Sequence, residues 1–166
     1  MARGLADTLL ETGERSVTLL DGDVVRRQLS AGLGFSAADR DTNVRRIGWV
    51  AAEVARHGGV AVCCPIAPYE AARAAARRFA RDAGAGFVLV YVATPLDECE
   101  RRDRKGHYAK ARAGQLKGMT GIDDPYEAPA DPELVIDTTA ATPGEAAATV
   151  LRYLGSNGWI EPRPAA

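Results

Sequence analysis

Short apolar runs separated by long helical patterns constrain this chain more than any other feature. Ser16 to Leu20 (SVTLL), Val60 to Cys64 (VAVCC) and Phe87 to Val92 (FVLVYV) are too short for buried helices. They are apolar or β-branched throughout rather than alternating, as in strands covered on both faces. Between them lie helices. Leu5, Leu9 and Leu10 share one face of a helix over residues 2–12 that Gly13 stops. The Asp-Gly-Asp after the first run breaks the strand, and Val24 to Leu29 forms a short helix. Ser36, with Asp39 three residues on, opens a long helix over about 39–57 that ends at Gly58-Gly59. Tyr69 to Ala83 is an Ala- and Arg-rich helix ended by Gly84, and Thr94-Pro95 caps another that runs to Arg102. Leu134 to Ile136 is a last strand. Thr142-Pro143 starts the final helix, which Gly158 and a Pro-rich tail end. Strands alternating with helices predict right-handed crossovers and a doubly wound parallel α/β sheet with flanking helices, in one domain over residues 1–166. In such sheets ligands sit beyond the carboxyl ends of the strands. Here those ends are Asp21-Gly22-Asp23, Pro65 to Tyr69 and Ala93-Thr94-Pro95.

Charge narrows the partners. Lys plus Arg is 21 and Asp plus Glu is 22, a net charge of −1, which argues against nucleic acid as a partner. Three cysteines, two of them adjacent and none in a CxxC, give neither a disulfide framework nor a zinc site. Asp7 and Glu11 interrupt any signal-peptide core, and no apolar run approaches a membrane span, so a cytoplasmic protein is expected. Cys63 and Cys64 read as core residues of a strand, Trp49 as helix packing, and His57 and His107 as surface residues.

Asp21 and Asp23 flank a glycine at a strand tip, where paired carboxylates suit a hydrated Mg²⁺ or a general base for a hydroxyl, or else simply cap the next helix. Arg26 lies one helical turn from Asp23. Arg40, Asn43, Arg45 and Arg46 sit on the following helix, and their guanidinium forks fit phosphate or sulfate oxygens unless nearby acids claim them. Residues 103–132 lack a clear period but carry Arg104, Lys105, Lys110, Arg112 and Lys117 among glycines at 106, 114, 118 and 121. A long, hinged, basic segment beside acids is what phosphoryl transfer needs, to clamp negative charge and exclude water, so it is expected to act as a lid with one short helix.

Several segments in order resemble the adenylylsulfate kinases, which phosphorylate the 3′-hydroxyl of adenosine 5′-phosphosulfate (APS) with ATP. They are Leu20 to Arg26 (LDGDVVR), Leu33 to Arg40 (LGFSAADR), Asn43 to Gly48 (NVRRIG), Arg102-Asp103 with Lys105-Gly106, Tyr108 to Gly114 (YAKARAG) and Thr120 to Glu127 (TGIDDPYE). The resemblance implies a P-loop kinase fold with Mg²⁺ as cofactor and ATP as co-substrate. It implies Asp21, Asp23 and Lys105 as catalytic residues, with Asp23 holding the metal through water. APS would be bound by Arg26, Phe35, Arg40, Asn43, Ile66, Ala67, Lys105, Met119, Thr120, Gly121 and Ile122. Cys99, Arg102, Lys110 and Arg112 would face the nucleotide, and a homodimer fits the family.

Departures accompany the match. No Gly-x-x-x-x-Gly-Lys-Ser/Thr occurs anywhere in the sequence. Residues 1–6 align with the helix that follows that loop, so the expectation is an N-terminally truncated chain whose first strand would lie between Val60–Cys64 and Phe87–Val92. Ala67 stands where the family has serine, Glu70 where arginine is frequent, and Met119 where an aromatic is expected against adenine. Two other readings follow: a phosphosulfate-binding module without catalysis, and a related small-molecule kinase with another acceptor.

Overall fold

A computed structural model describes residues 1–161, and the Pro-rich tail from 162 onward lies outside them. Its elements are α1 (Ala2–Glu11), β1 (Val17–Asp21), α2 (Gly22–Arg27), α3 (Ala37–Arg56), β2 (Val60–Cys64), α4 (Glu70–Asp82), β3 (Val90–Val92), α5 (Leu96–Arg102), α6 (His107–Arg112), β4 (Leu134–Ile136) and α7 (Pro143–Ser156). Local chemistry sets most boundaries. The Ser36 hydroxyl accepts the Asp39 N–H at 3.1 Å and opens α3, and Thr142 with Glu145 forms a reciprocal capping box on α7. Gly13, at φ 71, supplies the left-handed turn after α1.

The strands are parallel, as expected, and form two pairs. β1 runs beside β2 with Val17 opposite Val60 and Asp21 opposite Cys64, and β3 runs beside β4 with Val90 opposite Leu134. Among the described residues no ladder joins β2 to β3. A shared layer of helices unites the pairs. Leu5 and Leu9 of α1 and Ala146, Ala147 and Val150 of α7 enclose Ile136, and Val17, Val60, Val62, Val90 and Leu134 pack against that cluster. Alternation turns Ala61 and Cys63 to the opposite side of β2. α3 packs along β2 and lies against α4, and at the α3–α4 contact a Cβ on Gly48 would stand 2.7 Å from the Ala76 Cβ. Only glycine permits that approach.

Four expectations need correction. Cys63 and Cys64 are exposed rather than core, because among the described residues β2 has a ladder neighbour on one edge only. Cys63 reaches solvent there, yet enough protein surrounds its sulfur that desolvation pushes the thiol up to about 12. The run from Phe87 to Val92 contributes only three residues to β3, since Leu89 donates its N–H to the Glu133 carboxylate at 2.6 Å instead of to a strand. Thr94 does not cap α5; Pro95 stands at that position, and the Thr94 hydroxyl meets that of Thr138 at 2.6 Å. Trp49 is 56% exposed, on the outer side of α3.

Candidate active site

The site grows from the tip of β1. Asp21 keeps extended backbone and its carboxylate accepts the N–H groups of Asp23 and Val24, at 2.9 and 3.4 Å, so it caps α2. The cap leaves Asp23 pointing outward. Lys105, 82 residues away, donates to that carboxylate at 2.6 Å. This hydrogen bond and the ammonium charge hold the Asp23 carboxyl below its ordinary range, and the carboxylate in turn raises the Lys105 ammonium. The segment after α5 therefore reaches the acidic tip. It is anchored again where Arg112 donates to Glu100 at 2.6 Å, and Asp103 accepts the backbone N–H groups of Ala109 and Tyr108 at 2.9 and 3.2 Å, which start α6.

Beside the tip, Arg26 donates to the Gly34 carbonyl at 2.7 Å and lies 4.4 Å over the Phe35 ring, which is 69% exposed. The two form one open wall. Arg40 behaves differently. It is buried, donates through Nε to the Phe35 carbonyl at 2.8 Å, and through its two other nitrogens to Thr120 Oγ1 and the Gly118 carbonyl. Its Nη1 also lies 3.3 Å from the Asp124 carboxylate. Arg40 thus clamps the loop that carries Met119, Thr120, Gly121 and Ile122. Asp123 folds that loop on itself by accepting the N–H groups of Gly118 and Met119 at 2.7 and 2.6 Å, bonds that pull its carboxyl down. Asn43, one turn after Arg40, is buried with its Oδ1 unpartnered among the described residues.

A second loop, after β2, carries Ile66, which is 64% exposed, and Ala67, a non-glycine residue in the left-handed region at φ 46°. That conformation costs an alanine roughly 1–2 kcal/mol, so the surroundings must hold it.

Of the residues assigned to nucleotide, Cys99 and Arg102 lie where β3 and β4 end. Arg102 donates to the Thr138 hydroxyl at 2.9 Å, the Thr138 carbonyl at 2.6 Å and Glu98 at 2.6 Å, while the Cys99 thiol faces the Thr94 carbonyl at 3.7 Å. Hydrogen bonds from Arg101 and then Arg102 hold the Glu98 carboxyl down at about 2. Lys110 is exposed on α6. Arg45 and Arg46 do not join the site: Arg45 binds Asp41 at 2.6 Å and Arg46 the Leu29 carbonyl at 3.1 Å, on the face shared with Trp49. Sequence reasoning missed Tyr69, Arg73, Asp124, Thr138 and Glu127. Forewarning was partial: Tyr69 closes the segment after β2, and Asp124 and Glu127 belong to the Thr120 to Glu127 segment.

A parallel α/β frame with an acidic strand tip and a basic, lysine-bearing segment beside it has the fold of the P-loop kinases. The chain belongs to the adenylylsulphate kinase family, whose profile it matches over residues 1–137. It is 50% identical to a sulfate adenylyltransferase of Aspergillus terreus over 161 residues, covering 97% of this chain and 28% of that protein. A sulfate adenylyltransferase of Mycosarcoma maydis is 50% identical over 162 residues, again with 28% of its length covered. The chain therefore spans a little over a quarter of these relatives. Among solved structures it resembles the Mycobacterium tuberculosis APS kinase in complex with AMPPNP and APS, with TM-score 0.87 and 44% identity over 92% of this chain and 87% of that one. A hexameric APS kinase from Thiobacillus denitrificans matches with TM-score 0.75 and 42% identity, over 98% of this chain and 27% of that one.

Among the described residues no group of three or more His, Cys, Asp or Glu stands ready to hold a metal. A hydrated Mg²⁺ needs fewer protein ligands, because phosphate oxygens and water supply the rest. Asp23, ionised and outward-facing, suits that role. Among the described residues no helix is long and apolar enough to cross a membrane.

Proposed function

We propose that this chain acts on APS as the acceptor side of an adenylylsulfate kinase, transferring the γ-phosphoryl group of ATP to the 3′-hydroxyl. The observation that carries the reading is the reach of Lys105 onto Asp23, which brings a cationic lid over an acidic strand tip beside the Arg26–Phe35 wall. Phe35 would stack on the adenine, and Arg26 would meet the phosphosulfate. Ile66, Ala67 and the Met119 to Ile122 loop would form the opposite wall, with Asn43 offering its unpaired acceptor. Asp21 and Asp23 would orient the hydroxyl and the water shell of Mg²⁺, the metal supplying charge neutralisation on the transferred group. Cys99, Arg102, Lys110 and Arg112 would border the ATP base and lid. Self-association into a homodimer through the face of exposed Trp49 and Leu29 and half-buried Val50, and a reducing cytoplasmic setting for three free cysteines, belong to the same proposal. Sedimentation velocity checks the first of these.

A second reading is favoured by one observation, the lack of any Gly-x-x-x-x-Gly-Lys-Ser/Thr in the sequence. In a protein without backbone N–H groups around the β-phosphate and a lysine on the transferred group, the electrostatic part of catalysis would be lost and binding alone would remain. Calorimetry with APS and an ATP-dependent 3′-phosphorylation assay separate the two, run on residues 1–166 and on a chain extended upstream in the same frame. Binding by both with turnover only in the longer chain supports the kinase. Binding without turnover in either supports the module. No binding of APS by either refutes both.

A further inference from the structure

We infer that Arg73 is a positioning residue that sets the spacing of the two acceptor walls, an inference that rests on the APS reading above. Arg73 is only 4% exposed and belongs to α4, outside every segment assigned to substrate. Its guanidinium is fully committed. Nη1 donates to the Ala67 carbonyl at 2.7 Å, Nη2 to the Glu127 carbonyl at 2.6 Å, and Nη2 and Nε to the Glu70 carboxylate at 2.6 and 3.2 Å. One rigid fork therefore bridges the loop after β2 and the far end of the loop that carries Met119 to Ile122.

Other bonds follow the same seam. Glu127 donates its N–H to the Pro68 carbonyl at 2.8 Å and accepts the Glu70 N–H at 2.6 Å, and the Tyr69 hydroxyl donates to Asp124 at 2.9 Å. Asp124 leads on to Arg40, so the far wall is held at both ends, by Arg40 from α3 and by Arg73 from α4. The guanidinium also sits 5.8 Å over the Tyr126 ring, which stacks at 6.0 Å on Tyr91 of β3. Ala67 is the point of leverage. Its left-handed backbone is unfavourable for any residue with a Cβ, and the Arg73 bond to its carbonyl helps keep it there. Glu70, where the resemblance led us to expect arginine, is the anion that orients this fork.

The test uses the 166-residue chain unaltered and as Arg73→Lys, Ala67→Gly, the double variant and Tyr69→Phe. Hydrogen exchange is followed without ligand, and APS affinity by calorimetry. Lysine replaces only one arm of the fork, so Arg73→Lys should speed exchange at the amides of residues 118–127 while α3 is unchanged, and should weaken APS about tenfold or more. Ala67→Gly needs no help to hold a left-handed turn, so in the double variant it should recover part of that loss. A merely structural Arg73 would lower the melting temperature without coupling to position 67. If Arg73→Lys melts below the assay temperature, Tyr69→Phe loosens the same seam without stranding a charge and should quicken the same amides and weaken APS. APS affinity unchanged in Arg73→Lys, or losses that add with no recovery in the double variant, overturns the inference; so does unchanged exchange and affinity in Tyr69→Phe. An unaltered chain that gives no heat with APS refutes the acceptor reading itself, and the inference falls with it.

Discussion

Replacing Arg40 by alanine should cost far more stability than replacing Arg26, although both arginines belong to the proposed acceptor site. Arg40 has a side chain 10% exposed and satisfies the Phe35 and Gly118 carbonyls, the buried Thr120 hydroxyl and, at 3.3 Å, Asp124. Removing one partner of a buried ion pair costs roughly 3–5 kcal/mol. Asp124 retains the Tyr69 hydroxyl at 2.9 Å and is 23% exposed, which places Arg40→Ala near the lower end, about 3 kcal/mol. Arg26 makes one hydrogen bond, to Gly34, and one ring contact, to Phe35, so Arg26→Ala should cost no more than about 1 kcal/mol. Domains of this kind hold only about 5–15 kcal/mol in total, so the difference is readily measured. Urea unfolding of both variants gives it directly. In a chain of this length the Arg40 variant should melt about 6–12 °C lower. APS titration completes the contrast: Arg26→Ala should weaken binding by the roughly 1.5–3 kcal/mol of a charge-assisted contact while stability holds, whereas Arg40→Ala should lose both. Equal destabilisation by the two, or a loss below about 1 kcal/mol for Arg40→Ala, would refute the assignment of Arg40 as the clamp of the 118–124 loop.

The Lys105–Asp23 contact defines a pH window. Asp23 is lowered, so its contribution is complete above its ordinary 3.8 and fades as pH falls through the lowered value; Lys105 is raised, so its contribution is complete below 10.5 and fades as pH rises through the raised value. Lys105→Met should return the Asp23 carboxyl toward 3.8 in a carbon-detected NMR titration, and an unmoved midpoint would show that the lid does not rest there. Lid residues 104–118 should exchange amide hydrogens more slowly with APS bound than without it, and equal protection would count against closure. Gly48→Ala should destabilise by about 1–3 kcal/mol in thermal unfolding, since overpacking outweighs the helix propensity gained, and a stabilised variant would contradict the close α3–α4 approach. Ser30→Ala should stabilise by about 1 kcal/mol, because its hydroxyl, in a residue 1% exposed, has no partner among the described residues; a loss instead would reveal a bond to that oxygen.

Features fixed by neighbours in the chain were legible in the sequence. The caps at Ser36 and Thr142, the turn at Gly13 and the short helix within the 103–132 segment each depend on a few adjacent residues, and each is found. Family membership was legible because the ordered segments from Leu20 to Glu127 resemble the family's in sequence and in order, and the family profile matches over residues 1–137. The roles of individual arginines were not. Nothing local distinguishes Arg40 from Arg45, yet the side chain of one is 10% exposed and that of the other 43%. What separates them is a loop 78 to 84 positions further along that folds against only one face of α3. The same holds for Cys63, whose exposure depends on which strands reach the edges of β2, and for Arg73, whose partners include a carbonyl 54 residues away. Short-range patterns set which element forms, because capping and periodicity act over one or two helical turns. Which charge is buried, and against what, is decided only when distant segments meet, because desolvation and pairing depend on the final packing around each group.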